Sequence, residues 1–368
     1  MRFLIFLFLA VFALGCAEPA RDFTTLGITA SAKDPPRPRG RVIVAESTTS
    51  PSDGIVIGST ASSTVGVYDL RAMVEPMVLE DFCFESLGDP EIIATAYVIY
   101  TNPEGTTTTS SSFVEGGYVC FADQEVSIPL RSTVHLTVSI DTGFWFWLSG
   151  DTIQLNWTDF GARAVGQRSR TVYDERAVTD FVEGPTMTFH ITKPTVSLSS
   201  GSPSGDGFPG FGEIFRPNMA ADTHGYVGFE WATFGFDSTD NEDEDEDWNS
   251  CANMGDSDRW ALYDMDDLAT NIDESWTFTA SDGNDCETSP DLPLISATVT
   301  LIETEEVAAG ATTTYSLKVN TEGASSAADD SVRASLKDIG WLDDSYDSEI
   351  YGGTYIHTLP VMGYPITY

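Results

Sequence analysis

Phe82-Cys83-Phe84-Glu85-Ser86 and Phe234-Gly235-Phe236-Asp237-Ser238 spell one pattern twice, 152 residues apart. The same shift carries Val44 onto Val196 and Ser50-Pro51-Ser52 onto Ser202-Pro203-Ser204. It grows to 163 at Tyr97-Val98-Ile99-Tyr100 against Trp260-Ala261-Leu262-Tyr263, and to 179 at Asp159-Phe160-Gly161 against Asp338-Ile339-Gly340. At that last shift Val182, Gly184, Thr188 and Phe189 meet Val361, Gly363, Thr367 and Tyr368. Self-similarity held over such a span points to two diverged copies of one module, which sets architecture ahead of any local reading.

Each step in the shift marks residues gained by the second copy. The first, 11 residues (163 less 152), coincides with Asp240-Asn241-Glu242-Asp243-Glu244-Asp245-Glu246-Asp247. A further 16 (179 less 163) enter between Tyr263 and about Val307. Insertions are tolerated in surface loops rather than in packed strands, so both are expected outside the core.

Local pattern indicates strands. Ala94 to Tyr100, Val134 to Ile140, Thr152 to Trp157, Thr186 to Ile191, Ala297 to Ile302 and Thr312 to Val319 are rich in β-branched and aromatic residues and lie between turn-forming clusters. Apolar residues alternate in His135-Leu136-Thr137-Val138-Ser139-Ile140 and in Tyr315-Ser316-Leu317-Lys318-Val319, the pattern of a half-buried strand. Helical spacing with caps is weak throughout. The expectation is an all-β protein of two tandem immunoglobulin-like β-sandwich modules related by internal duplication, over 42–192 and 193–368.

Ahead of the modules, Arg2 and the apolar run Phe3 to Leu14 have the plan of a secretory signal over 1–16, too short to span a bilayer comfortably. The ending Ala13-Leu14-Gly15-Cys16 resembles the lipobox of bacterial lipoproteins, which implies a lipid on Cys16 and a membrane anchor; plain secretion is the alternative. The segment 17–41 carries Pro19, Pro35, Pro36 and Pro38 among Arg21, Lys33, Arg37, Arg39 and Arg41. It reads as an extended tether, either a solvated stalk or a basic stretch lying on anionic head groups.

Apart from Cys16, four cysteines fall two per copy: Cys83 and Cys120, then Cys251 and Cys286. In an exported chain these read as one disulfide within each module, and closing each loop removes about 3–4 kcal/mol of unfolded-chain entropy. Cys83 aligns with Gly235, so the two staples are not equivalent.

With 57 acidic residues against 18 basic, a net charge of −39, the chain lacks the basic clusters that nucleic-acid binding needs. Cations are the natural complement, and Asp240, Asp243, Asp245 and Asp247 offer oxygen ligands of the kind Ca²⁺ takes. The run lacks the glycine of an EF-hand loop, and a solvated acidic loop is the competing reading. Phe144-Trp145-Phe146-Trp147 would place its pairs on opposite faces of a strand. They form either a buried plug between modules, the favoured reading, or a sticky patch for a glycan or a surface protein. Of the four histidines, His135 and His190 lie in strand-like segments, and no nucleophile elbow, zinc helix or phosphate loop occurs.

Ser197-Leu198-Ser199-Ser200-Gly201-Ser202-Pro203-Ser204-Gly205, then Glu213-Ile214-Phe215-Arg216, Phe234-x-Phe236 and the closing Tyr355-Ile356-His357-Thr358-Leu359-Pro360-Val361-x-Gly363 resemble tandem β-sandwich modules in exported surface proteins of candidate-phyla (Patescibacteria-type) bacteria. The resemblance implies a structural, adhesive or envelope-layer role at the cell surface, without an activity. Two other roles compete with it: a glycan-binding module or carbohydrate-active enzyme, and a filament or lattice subunit joined through strand edges.

Overall fold

Alternation of apolar and polar residues is what turns this chain into sheets. In Thr133–Thr142, Val134, Leu136, Val138 and Ile140 point inward while His135 and Thr137 point away. Five of the six segments expected to be strands lie within strands of the computed structural model, which describes residues 40–143, 146–240, 248–325, 329–344 and 349–368; the sixth, Thr186 to Ile191, runs one residue past the strand Thr186–His190. The protein is all-β, and the single turn Cys251–Met254 is the one α-helix among the described residues.

The N-terminal half contributes two sheets. One runs Arg41–Glu46, Ser63–Met73, Thr133–Thr142, Ile93–Thr101, Thr107–Ser112. The other runs Gly54–Ile57, Thr186–His190, Thr152–Gly166, Met77–Gly88, Tyr118–Phe121, Val114–Glu115. The C-terminal half repeats this plan. One sheet runs Pro194–Leu198, Pro217–Ala221, Thr312–Asn320, Trp260–Asp264, Asp267–Asn271, and the other Gly205–Asp206, Ile366–Thr367, Ser331–Leu342, Val227–Thr239, Leu294–Val307, Asp273–Ala280. Both halves divide their strands between two sheets in the immunoglobulin manner, Met77–Gly88 and Thr152–Gly166 lying opposite the sheet of Ser63–Met73 and Thr133–Thr142 in the first, and Val227–Thr239 and Ser331–Leu342 opposite that of Pro217–Ala221 and Thr312–Asn320 in the second. In each half an early short strand pairs parallel to the last, Gly54–Ile57 with Thr186–His190 and Gly205–Asp206 with Ile366–Thr367.

Each pair of sheets closes over its own apolar cluster, one drawn from Val42 to Phe189 and the other from Val196 to Tyr368. Phe82 and Phe84 are fully buried. Trp157 stacks on Phe82 with ring centroids 5.6 Å apart and meets Phe84 edge-on at 5.6 Å. In the second core Trp260 lies 4.9 Å from Phe236 and 5.4 Å from Trp276. The first edge strand of each half is capped by a threonine: Val44 N–H donates to Thr179 Oγ1 at 2.8 Å, and Val196 N–H to Thr358 Oγ1 at 3.2 Å.

One expectation fails here. The second insertion does not stay outside the core, because it lengthens the edge hairpin into the strand Asp273–Ala280. That strand's period-two pattern buries Trp276, Phe278 and Ala280 and exposes Ser275 and Thr277. Of the acidic run that marks the first insertion, residues 241–247 lie outside the described residues.

At the far end of the first sandwich, Glu75 is 7% exposed and holds the hairpin after Thr152–Gly166. Its carboxylate accepts from Arg168 N–H (3.1 Å), Ser169 N–H (2.9 Å), Ser169 hydroxyl (2.7 Å) and Tyr173 hydroxyl (3.0 Å). Gly166 sits so close that a Cβ there would lie 2.4 Å from Glu75 Oε1. Burial pushes this carboxyl up, but the hydrogen bonds from Ser169, Tyr173 and Arg168 outweigh it and hold it below the ordinary glutamate value of 4.5. A carboxyl depressed on folding contributes stability that is present above its unfolded value and lost as pH falls through its folded one. Glu75→Gln is therefore expected to lower the melting temperature at neutral pH and to narrow the gap to wild type as pH drops below about 4. A gap that stays constant down to the acid transition would remove Glu75 from that role.

Candidate functional site

The chain passes from one sandwich to the other through His190-Ile191-Thr192, which is buried throughout (3%, 1% and 0% exposed). Flexible linkers are solvated and polar; this one has its backbone tied down. Thr192 Oγ1 donates to Gly225 C=O (3.2 Å), and Asp222 N–H donates to Lys193 C=O (3.2 Å).

The tie is strongest at Asp343, 1% exposed, just beyond the strand Ser331–Leu342 of the second sandwich. A single carboxylate oxygen, Oδ2, gathers groups of the first sandwich: it accepts from the Ser149 hydroxyl and from Ile191 N–H (3.1 Å), and His190 Nδ1 lies 3.4 Å away. Aromatic rings of the second sandwich wall the imidazole, Tyr351 edge-on at 4.4 Å and Trp341 at 4.9 Å. Those rings are themselves held, since Trp341 and Tyr351 exchange backbone hydrogen bonds (2.8 and 2.7 Å) and Trp341 Nε1–H donates to Gly352 C=O (3.0 Å). Gly150 has φ +89, and a Cβ there would come within 3.2 Å of the Tyr351 hydroxyl.

Serine, histidine and aspartate meet here, but not as a catalytic triad. In a triad the carboxylate and the nucleophile sit at opposite ring nitrogens, so that the base can relay a proton. Here Ser149 Oγ is 3.2 Å from Nδ1, the same nitrogen that Asp343 approaches, and the serine hydroxyl is spent on the carboxylate. The chemistry this arrangement performs is a hydrogen-bonded buried contact between domains.

Beside the junction lies an open groove of about 680 Å³, lined by Ser52 and Asp53 of the first sandwich and by Lys337, Asp338, Tyr355 and His357 of the second. Both of its carboxylates hold backbone: Asp53 Oδ1 accepts from Thr186 N–H (2.8 Å), and Asp338 Oδ1 from Gly353 N–H (2.7 Å) and Ile339 N–H (2.9 Å). Ile55 of the first sandwich packs against the apolar cluster of the second.

The residues singled out from sequence fall elsewhere. Both disulfides are formed as paired, Cys83–Cys120 across directly opposed strand positions and Cys251–Cys286 between the short helix and the loop after Asp273–Ala280. Cys16, Asp243, Asp245 and Asp247 lie outside the described residues. Asp240 Oδ2 accepts from Trp248 N–H (3.0 Å). Among the described residues no three acidic, histidine or cysteine side chains converge on a metal-sized point. Much of the neighbouring acid is committed to the backbone instead. Asp256, Asp264, Asp267, Asp282 and Asp285 each accept the N–H two residues on, the Asx turn that shapes a loop. Elsewhere the excess charge costs something: burial, then Glu175 and Asp180, push the Asp159 carboxyl up, and burial, then Asp264 and Glu303, do the same to Glu305.

Of the aromatic run, Phe144, Trp145 and the Phe146 side chain lie outside the described residues. The backbone at Phe146–Leu148 is a 3₁₀ turn rather than a strand. Trp147 is 55% exposed, where a plug between sandwiches would be covered; Leu148 enters the core instead. The contact between sandwiches is built by His190 and Asp343, which sequence reasoning passed over. A signal existed: at the 179 shift Asp343 falls on Ala164, a fully buried position, so a carboxylate stands where a core residue is expected.

No family model and no curated protein matches the chain. Solved structures similar to it include the C-terminal domain of the Streptococcus pyogenes antigen I/II-family protein AspA (9% identity, 89% of this chain and 98% of that one, TM-score 0.21). Others are a putative membrane anchored protein from Corynebacterium diphtheriae (7%, 89% and 90%, TM-score 0.19) and BcpA, the major pilin subunit of Bacillus cereus (8%, 89% and 69%, TM-score 0.18). Scores this low carry no argument about function.

Removing one member of a buried, bonded polar set leaves its partners without counterparts, at a cost of about 3–5 kcal/mol. Asp343→Ala is expected to show that loss in denaturant unfolding and to split one thermal transition into two as the sandwiches uncouple. An unchanged midpoint with a single transition would show that the junction is held elsewhere.

Proposed function

We propose that this chain is a non-enzymatic cell-surface protein, structural or adhesive, that presents two immunoglobulin-like sandwiches as a stiff pair from a membrane anchor at Cys16. The observation that carries the reading is the buried linker with Asp343 locked onto Ser149, His190 and Ile191. It commits a serine, a histidine and an aspartate to holding two domains in a fixed orientation. A stiff pair extends a binding face away from a membrane without the entropy loss that a floppy linker would impose on each contact.

We further infer that the two sandwiches are duplicated copies of one ancestral module, over 42–192 and 193–368. The shared strand order, the parallel first-to-last pairing in each half, and Thr179 and Thr358 capping Val44 and Val196 all support this. Residues 17–41 act as the tether, and the two disulfides, acquired separately, suit an oxidising exterior.

The test is made in cells. Radiolabelled fatty acid is expected to enter the wild-type protein and not Cys16→Ser, and protease added to intact cells is expected to remove the wild-type signal. Protein that resists external protease until the cells are lysed would overturn the surface assignment. Labelling that persists in Cys16→Ser would overturn the anchor.

A further inference from the structure

A strand at the edge of a sheet presents unpaired N–H and C=O groups, and folded proteins blunt such edges with charge, proline, bulges or covering chain. Among the described residues the main paths of the four sheets end in eight edge strands, apart from short side strands such as Val126–Ile128 and Phe211–Phe215, and seven of the eight are blunted. Arg41–Glu46 is charged at both ends, and Thr179 binds it through Val44 N–H and Val42 C=O. Pro194–Leu198 begins on proline and is capped by Thr358. Gly54–Ile57 carries Ile55 into contact with the second sandwich. Val114–Glu115 and Gly205–Asp206 are two residues long. Asp267–Asn271 follows Asp264 and Asp266 and opens on Asp267. Asp273–Ala280 opens on Asp273-Glu274, breaks register, and is covered by the loop through Cys286 N–H to Phe278 C=O and Ala280 N–H to Asn284 C=O.

Thr107–Ser112 has none of these devices. It is six residues, Thr-Thr-Thr-Ser-Ser-Ser, paired with Ile93–Thr101 in unbroken register. No charged residue or proline occurs from Gly105 to Val114. The strand is held ready. A turn closes it at one end through Asn102 N–H to Thr106 C=O (2.9 Å), and its inward hydroxyls are anchored, Ser110 to Gln124 Oε1 (2.6 Å) and Ser112 to Cys120 C=O (2.7 Å). Thr107, Thr109 and Ser111 face outward, and Phe113 just beyond is 67% exposed.

We propose that this edge pairs with the same edge of a second copy of the chain, antiparallel across a two-fold axis, so that the first sandwich's outer sheet runs on into its partner's. Charge selects the occupant. Two chains of net charge −39 repel wherever their acidic surfaces meet, and Thr107–Ser112 is a long edge free of charge on which they can approach. An antiparallel strand is its own complement. Every outward N–H finds a C=O, and threonine and serine face threonine and serine, a favourable cross-strand pairing. Phe113 of each copy then borders the seam.

Sedimentation of the full chain in detergent tests this, with two controls. A dimer is expected that tightens as salt is raised, because the seam is neutral and only the surrounding repulsion is screened. The double variant Thr109→Glu with Ser111→Glu is expected to weaken it about tenfold or more by setting like charges across the seam. Ala269→Glu on the corresponding edge of the second sandwich is expected to leave it unchanged. Thr109→Cys should give a covalent dimer on mild oxidation and Thr270→Cys should not, with circular dichroism confirming that each variant is folded. A chain that stays monomeric at high concentration in high salt overturns the proposal, as does a dimer indifferent to the two glutamates.

Discussion

Asp343 is the residue on which the arrangement of this molecule turns. A carboxylate removed from water costs several kcal/mol unless nearby donors replace its hydration, and here the first sandwich supplies them. Ser149 and the adjacent pair His190-Ile191 come from two points of that sandwich and meet at one oxygen, which fixes the relative orientation of the two domains. An apolar contact of equal area would tolerate sliding; a bonded buried charge does not.

Around that lock the two halves differ in instructive ways. They share strand order, yet each carries its staple where its own geometry allows. Cys83 and Cys120 are opposed on neighbouring strands, whereas Cys251 and Cys286 fasten a short helix to the loop beyond a lengthened hairpin. That hairpin also brings Trp276 and Phe278 into the second core, where the first half has the two-residue strand Val114–Glu115. A larger module has more surface to close, and the extra strand supplies apolar area for it.

The acidic excess has two faces. Many aspartates in the second half add stability locally by closing Asx turns, whereas the buried Glu75 holds a hairpin more than 90 residues along the chain. Others, such as Asp159 and Glu305, sit among like charges and are held up against ionisation. At neutral pH the net field favours a monomer with its like-charged faces apart, which gives an uncharged edge strand unusual weight as a place of contact.

The strands, the all-β class and the two disulfide pairings were legible in the sequence, because period-two alternation and even cysteine counts report on burial and on compartment directly. In the aromatic run Phe144-Trp145-Phe146-Trp147 only the Trp147 side chain is described, and it is exposed beside the turn Phe146–Leu148, since composition says a patch is apolar but not whether a turn leaves a residue at the surface. The second insertion misled, as its alternating Trp276 and Phe278 were overlooked beneath the aspartates around them. The junction was beyond reach by pattern alone. His190 and Asp343 are 153 residues apart and belong to different sandwiches, so nothing local to either announces the other. The sequence by itself determined which segments would pair into sheets, because that depends on each segment's own periodicity. Only the tertiary structure decided how the sandwiches meet and which edge is left bare, because those depend on where the remaining chain passes in space.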